Sequence, residues 1–249
     1  MVLRLEGVRR TFGPTVALDD VSLDCRRGTV HTVLGENGSG KSTLVKLLSG
    51  VLAPDRGTVT ISGRQLRPAT PAHAQALGVS TVFQEVLISP NRSIVENVWL
   101  GQDSLLRWRS RGAERRSRAV TVLEELTGIS VDPHTPAGEL GLVRRHQVAI
   151  ARALLRDPAL LVLDESTAAL DVEDRDRLFA AVRERMTSGT AIVFISHRID
   201  EVLALSDRVT ILRSGRRVTT LERDQLSAAA LLSYLNPDRA DSGGAEVDR

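Results

Sequence analysis

The chain has 249 residues, 42% of them apolar, and sets 33 Lys and Arg against 31 Asp and Glu for a formal net charge of +2. That composition suits one large globular domain or two modest ones and excludes a membrane-spanning helix, since apolar runs such as Ala159–Leu163 and Ala191–Ile195 stop far short of roughly 20 residues. Cys25 is the only cysteine, which excludes an intrachain disulfide and fits a reducing cytoplasm, and arginine supplies every base except Lys41 and Lys46, an excess that reads as compositional bias before it reads as a nucleic-acid signal because no aromatic platform accompanies it.

The first residues, MVLRLEGVRR, lack the continuous apolar segment of a secretory signal. Val2–Glu6 alternates as a short strand, and Val16–Cys25 alternates again through Leu18, Val21 and Leu23; together with Gly57–Ile61 these predict an antiparallel sheet. Val30–Leu34 is a β-branched run of the buried-strand type, and Leu44, Leu47 and Leu48 recur at helical spacing up to Gly50. Between strand and helix lies Gly35-x-x-x-x-Gly40-Lys41-Ser42, a pattern whose backbone N–H groups turn inward around phosphate oxygens at a helix N-terminus. In such a loop Lys41 reaches the β and γ phosphates and the Ser42 hydroxyl ligates Mg²⁺, while Gly35, Glu36, Asn37, Gly38, Ser39, Gly40 and Thr43 complete the nucleotide-binding segment. Lysine kept here, in a chain that otherwise uses arginine, marks a place where a compact point charge is wanted. Phe12, in the turn between the first two strands, can stack on adenine or anchor its loop.

Gly78–Phe83 is a third buried-type strand, ending in Gln84 and Glu85. Gln84 can reach Mg²⁺ or an attacking water from that edge, or be an ordinary polar strand end. From Pro90 to Pro158 the pattern turns helical and polar, with Ile94, Val95, Val98 and Trp99 followed by Ala119–Leu126, which predicts a helical subdomain inserted into the β-containing core. Within it, Arg107–Arg118 reads as a solvated helix face and loop rather than a nucleic-acid patch. Ala137–Val143 leads into a helix through Val148, Ala151 and Leu154. Leu160–Asp164 is a buried parallel-type strand whose end carries two acids: Asp164 to hold Mg²⁺ and Glu165 to polarise water for attack on the γ phosphate. A helix with Leu178, Phe179, Val182 and Met186 on one face follows, and the strand Thr190–Ile195 then delivers Ser196 and His197 to the same edge, where His197 can sense the γ phosphate. Val209–Leu212 and Arg217–Leu221 form a hairpin around Ser214-Gly215, and the tail from Asn236 is expected to be disordered.

In this order the features resemble the ATP-binding subunits of ABC transporters from Val2 to about Leu235. The resemblance implies an α/β fold: a P-loop NTPase (RecA-like) core with an antiparallel β subdomain over residues 1–89 and 158–235, and an inserted helical subdomain over about 90–157. Phe12 then matches the adenine-stacking aromatic, Gly35–Ser42 the P-loop, Gln84 the Q-loop, and Leu160–Glu165 the Walker B strand with its catalytic glutamate. Ala168, Ala169, Leu170 and Asp171 match the D-loop, and His197 the switch histidine. At the signature position Leu140, Gly141, Leu142, Val143 and Arg144 read LGLVR, where the family has something close to LSGGQ, and Ser166 stands in place of the usual proline after the glutamate. Within the family, VHTVLGENGSGKSTL, GVSTVFQEVLISPNRSIVENVWLG and ISHRIDEVLALSDRVTILRSGR are similar to carbohydrate importers of the ribose and galactose type, which usually carry two such domains in one chain.

The resemblance implies an ATPase using ATP and Mg²⁺, with Gln84, Glu165 and His197 catalytic and Ser42, Gln84 and Asp164 at the metal. It implies a cytoplasmic subunit, peripheral on the inner face of the cell membrane, bound to membrane-spanning permease subunits and to a second ATPase domain, with no nucleic acid expected. In LSGGQ the serine hydroxyl and the glycine amides face the partner's γ phosphate. Gly141 lacks the hydroxyl and Val143 puts a β-branched side chain where close backbone approach is wanted, which favours a heterodimer whose other member has a complete signature. Two other readings stay open: a non-transport ABC ATPase acting on nucleic acid or ribosomes through Arg107–Arg118, and a catalytically weak regulatory nucleotide-binding module.

Overall fold

The computed structural model describes residues 1–102 and 112–235; part of the basic segment and the tail from Asn236 lie outside the described residues. The strands are β1 (Leu3–Phe12), β2 (Thr15–Cys25), β3 (Val30–Leu34), β4 (Arg56–Ile61), β5 (Arg64–Gln65), β6 (Val79–Val82), β7 (Leu160–Asp164), β8 (Ala191–Ile195), β9 (Arg208–Arg213) and β10 (Arg216–Glu222). The helices are α1 (Lys41–Leu48), α2 (Pro71–Ala76), α3 (Ile94–Val98), α4 (Gly112–Thr127), α5 (Leu142–Leu154), α6 (Val172–Thr187), α7 (Ile199–Leu205) and α8 (Ala228–Leu235).

The first sheet has the order β2-β1-β4-β5 and is antiparallel, as the alternation of its strands predicts. β1 runs on to Phe12, past the expected end at Glu6, because both its edges are paired, to β2 and to β4. Its register shifts between Leu5 and Val8, where Gly7 takes φ +56°, and this irregularity breaks the alternation by which a strand is read. Phe12 is therefore the last strand residue and not part of the turn.

The second sheet has the order β10-β9-β3-β8-β7-β6. Its pairings are parallel except for β10, which pairs antiparallel with β9 at the edge. Every residue of β3, β7 and β8 is buried, which is why these strands appear in the sequence as unbroken apolar or β-branched runs. On β8, Ala191, Val193 and Ile195 pack toward α1 and the first sheet, while Ile192 and Phe194 join the core of α3–α6 on the other face. Each large apolar side chain so buried contributes about 1.5–3 kcal/mol. Phe194 meets Phe179 of α6 edge-on, centroids 6.1 Å apart.

Between β6 and β7 the chain forms α3, α4 and α5, where a helical insertion is predicted. A capping box of Ser93 and Glu96 starts α3. Arg152 ties the insertion down, its Nε donating to Asn97 O at 2.8 Å and its Nη1 to Leu87 O at 2.8 Å. The described end of the basic segment is largely exposed, as expected of a solvated face; within it the guanidinium groups of Arg115 and Arg118 lie 4.5 and 5.8 Å from the Trp99 ring, and Arg118 pairs with Asp157 at 3.2 Å. Helices α2, α7 and α8 were not among the predicted elements; α2 and α7 are two turns or fewer, too short to show a period.

Candidate functional site

The parallel register brings the carboxyl ends of β3, β6, β7 and β8 to one edge, the usual place for a ligand in an open α/β sheet. From β3 the chain passes through the glycine-rich loop into α1. Gly40 takes φ +106°, and a Cβ there would lie 2.6 Å from the Ala17 carbonyl; at Gly35 a Cβ would lie 2.5 Å from Ser39 Oγ. Only glycine lets the loop fold this tightly. Lys41 is 7% exposed, and its Nζ donates to the carbonyls of Gly35 at 2.7 Å and Glu36 at 2.8 Å. Burial lowers its pKa, opposed by the charges of Glu165, Asp164 and Glu36.

β7 ends in the two acids. Burial, reinforced by the adjacent charge of Glu165 and opposed by Lys41 and Lys46, pushes the Asp164 pKa up to about 6. Glu165 holds a left-handed backbone at φ +47°, uncommon for a residue with a side chain and a frequent mark of functional positions. Its N–H donates to Ile195 O at 3.0 Å. Its carboxylate accepts from Gln84 Nε2 at 3.1 Å and lies 3.5 Å from His197 Nδ1. The three residues read from the sequence as catalytic thus meet, although they come from three strand ends.

These groups line a cleft of about 630 Å³ together with every residue from Gly35 to Thr43 except Ser39, which is buried beneath the loop. Thr15, Val16 and Ala17 form a wall of the same cleft, and sequence reasoning missed them, since nothing but position marks them. Phe12 does not line it; the ring is 44% exposed, with the Arg10 guanidinium 5.1 Å from its centroid. The oxygens of Ser42, Gln84 and Asp164 are hard donors suited to Mg²⁺. Among the described residues no cluster of three His, Cys, Asp or Glu forms a metal cage. That sparse set fits an ion shared with a nucleotide's phosphates, and a buried carboxyl with a raised pKa is one that a cation would relieve.

After Glu165, the D-loop positions form a turn: Ala168 is exposed, Leu170 joins the core, and Asp171 caps α6 by accepting from Asp174 N at 2.8 Å. The LGLVR segment lies away from the cleft of its own chain. Leu140 and Val143 pack partly against the helical core, and Arg144 turns inward to Gln147 Oε1 at 2.8 Å. Gly141 is the N-cap of α5 without a side-chain cap, and Leu142, 63% exposed, is the residue that projects. Leu142, and not Val143, is therefore the exposed neighbour of Gly141 in this segment, because the helix turns Val143 toward its own core.

Residues 18–168 match the family described as ABC transporter. The chain is 44% identical over 220 residues to the ribose import ATP-binding protein RbsA 2 of Streptomyces coelicolor, a match covering 87% of this chain and 42% of that protein. It is 38% identical over 234 residues to the galactofuranose transporter ATP-binding protein YtfR of Escherichia coli O157:H7, covering 94% and 47%. The chain thus spans about half the length of the curated relatives it matches. In structure it is similar to the ADP conformation of MJ1267, an ATP-binding cassette of an ABC transporter, with TM-score 0.79, 28% identity and 97% of each chain covered. The dimeric structure of MJ0796, a bacterial ABC transporter cassette, shares the fold at TM-score 0.79 and 24% identity, covering 89% and 98%. These likenesses bear out the α/β P-loop architecture with its β and helical subdomains.

Proposed function

Because the chain belongs to the ABC transporter family, we propose that it binds and hydrolyses ATP to energise import of a sugar or similar small solute through separate membrane-spanning subunits. The observation that carries this reading is the convergence of the P-loop, Gln84, Glu165 and His197 on one cleft. Sugar import rests on the ribose and galactofuranose relatives.

In this reading Lys41 exchanges the carbonyls of Gly35 and Glu36 for the β and γ phosphate oxygens, and the amides of the loop hold the rest of the chain of phosphates. Glu165 takes a proton from the water whose oxygen attacks the γ phosphorus as the bond to the β–γ bridging oxygen breaks. Gln84 and His197 fix the Glu165 carboxylate from either side. Ser42, Gln84 and Asp164 are the residues that would hold Mg²⁺, which would there neutralise phosphate charge.

No helix among the described residues is long and apolar enough to cross a membrane; in this reading the passage is supplied by membrane-spanning partners. We assign their docking surface to the groove bounded by Val51, Phe83, Glu85, Leu87, Leu100 and Arg152, about 350 Å³ in volume, where Leu87 is 63% and Val51 49% exposed. Glu85 in that groove follows Gln84, so a docked permease element acts on the residue bonded to Glu165. The second cassette is a partner with a complete signature, since LGLVR offers little to a nucleotide across the interface.

The test is Glu165→Gln. Calorimetry is expected to find MgATP affinity retained while hydrolysis falls by a factor on the order of 10². A variant hydrolysing at the parental rate removes Glu165 from the role.

A further inference from the structure

Glu201 of α7 is completely buried, and no step above uses it. Its Oε2 accepts two hydroxyl hydrogen bonds, from Thr167 Oγ1 at 2.8 Å and from Ser196 Oγ at 2.7 Å. Ser196 Oγ in turn accepts from Arg198 N at 3.1 Å. Arg198 Nη1 lies 3.2 Å from Oε1, near enough to compensate the charge but not aligned for a hydrogen bond. Thr167 stands two residues after Glu165, and Ser196 stands immediately before His197. A single carboxylate oxygen therefore joins the turn after β7 to the turn after β8, the two turns that carry the base and the histidine beside it.

A carboxylate withdrawn wholly from water is costly unless its lone pairs are taken up, and an apolar side chain of the same length would fill the space without that cost. What an apolar side chain cannot do is fix two hydroxyls to one point. Such a fixture is needed here because Glu165 sits in a left-handed backbone conformation, which persists only where the surroundings hold it. The Glu165 N–H to Ile195 carbonyl bond holds it on one side, and Thr167 on Glu201 holds the chain two residues further on.

We propose that Glu201 is a positioning residue that keeps Glu165 and His197 in register through Thr167 and Ser196. The inference rests on the reading of Glu165 and His197 as partners in hydrolysis. It assigns Glu201 no contact with nucleotide.

Glu201→Met conserves length and removes both acceptor sites, whereas Glu201→Gln leaves one oxygen for the two hydroxyls. In the full chain, with enzyme in excess over ATP, Glu201→Met is expected to lower hydrolysis about tenfold or more while MgATP affinity stays within about twofold. Glu201→Gln is expected to stay within about threefold of the parent. In a Glu165→Gln background, Glu201→Met adds no further loss, because the group being positioned is already gone. Independently of turnover, the His197 imidazole NMR resonance is expected to move in Glu201→Met in the direction it moves in Glu165→Gln, since the first change displaces and the second removes the carboxylate beside the ring. Should Glu201→Met fail to fold, Thr167→Val and Ser196→Ala each remove one donor with little change in volume and carry the same expectations. A folded variant with parental hydrolysis and an unmoved His197 resonance overturns the inference, and so does a full further loss on top of Glu165→Gln. Parental hydrolysis in Glu165→Gln alone overturns instead the reading of the pair on which it rests.

Discussion

Asp164 and Glu165 are neighbours with opposite circumstances. Glu165 is held by Gln84 and lies beside His197, while burial and the Glu165 charge raise the Asp164 pKa to about 6. With the folded value above the ordinary 3.8, the folded chain keeps a proton that the unfolded chain releases. The stability this gives is full below pH 3.8 and is lost as pH rises through 6. A cation at this carboxyl must displace that proton. The enhancement of nucleotide affinity by Mg²⁺ is therefore expected to fall about fivefold from about pH 6 to about pH 5 in the parent, and to fall less steeply in Asp164→Asn. Proton uptake by ATP itself is common to both proteins, so the difference in slope is the measurement. Equal slopes would exclude Asp164 from cation binding.

At the scale of the element, the start of α5 offers the clearest test of the altered signature. A Cβ at Gly141 meets nothing within 4 Å, so serine fits there and can cap the helix, worth a few tenths of a kcal/mol over glycine. Leu142, not Val143, is the side chain to remove, because Val143 packs on the helical core. The Gly141→Ser, Leu142→Gly chain, assayed alone, is expected to hydrolyse ATP roughly tenfold to a hundredfold faster than the parent, each restored contact being worth about 1–3 kcal/mol. An unchanged rate means that LGLVR suffices as it stands. The same element shows what could be read in advance: the existence of α5 follows from Val148, Ala151 and Leu154, but which of two adjacent residues projects depends on the helix phase at its first turn. β3, β7 and β8 were legible because burial on both faces leaves continuous apolar or β-branched runs, and the P-loop because its contacts are local. The link among Thr167, Ser196 and Glu201 was not, since three common polar residues acquire meaning only when two turns and a helix are brought together.

For the molecule as a whole, the two sheets are joined by a buried imidazole. His31 of β3 contacts the Asp24 carbonyl of β2 through Nδ1 at 2.5 Å and Thr210 Oγ1 of β9 through Nε2 at 2.7 Å. A carbonyl only accepts, so Nδ1 carries the proton and Nε2 receives the threonine hydroxyl. Burial, partly offset by that carbonyl, lowers the His31 pKa to about 4. The unfolded chain takes up a proton near 6.5 that the folded chain refuses until about 4. Stability is therefore full above 6.5 and declines as pH falls across that window, by about 2 kcal/mol at about pH 5. Urea unfolding near pH 7 and 5 is expected to show this slope reduced by that amount in His31→Gln. Parallel losses in parent and variant would place the pH dependence elsewhere.

Cys25 lies along the same seam, 1% exposed, with Sγ 3.5 Å from the Ile192 carbonyl of β8. Burial also raises its pKa, so the reactive thiolate is scarce while β2 stays docked. Because the chain contains no other thiol, its alkylation proceeds as a single event per molecule, timed by how often the two sheets part.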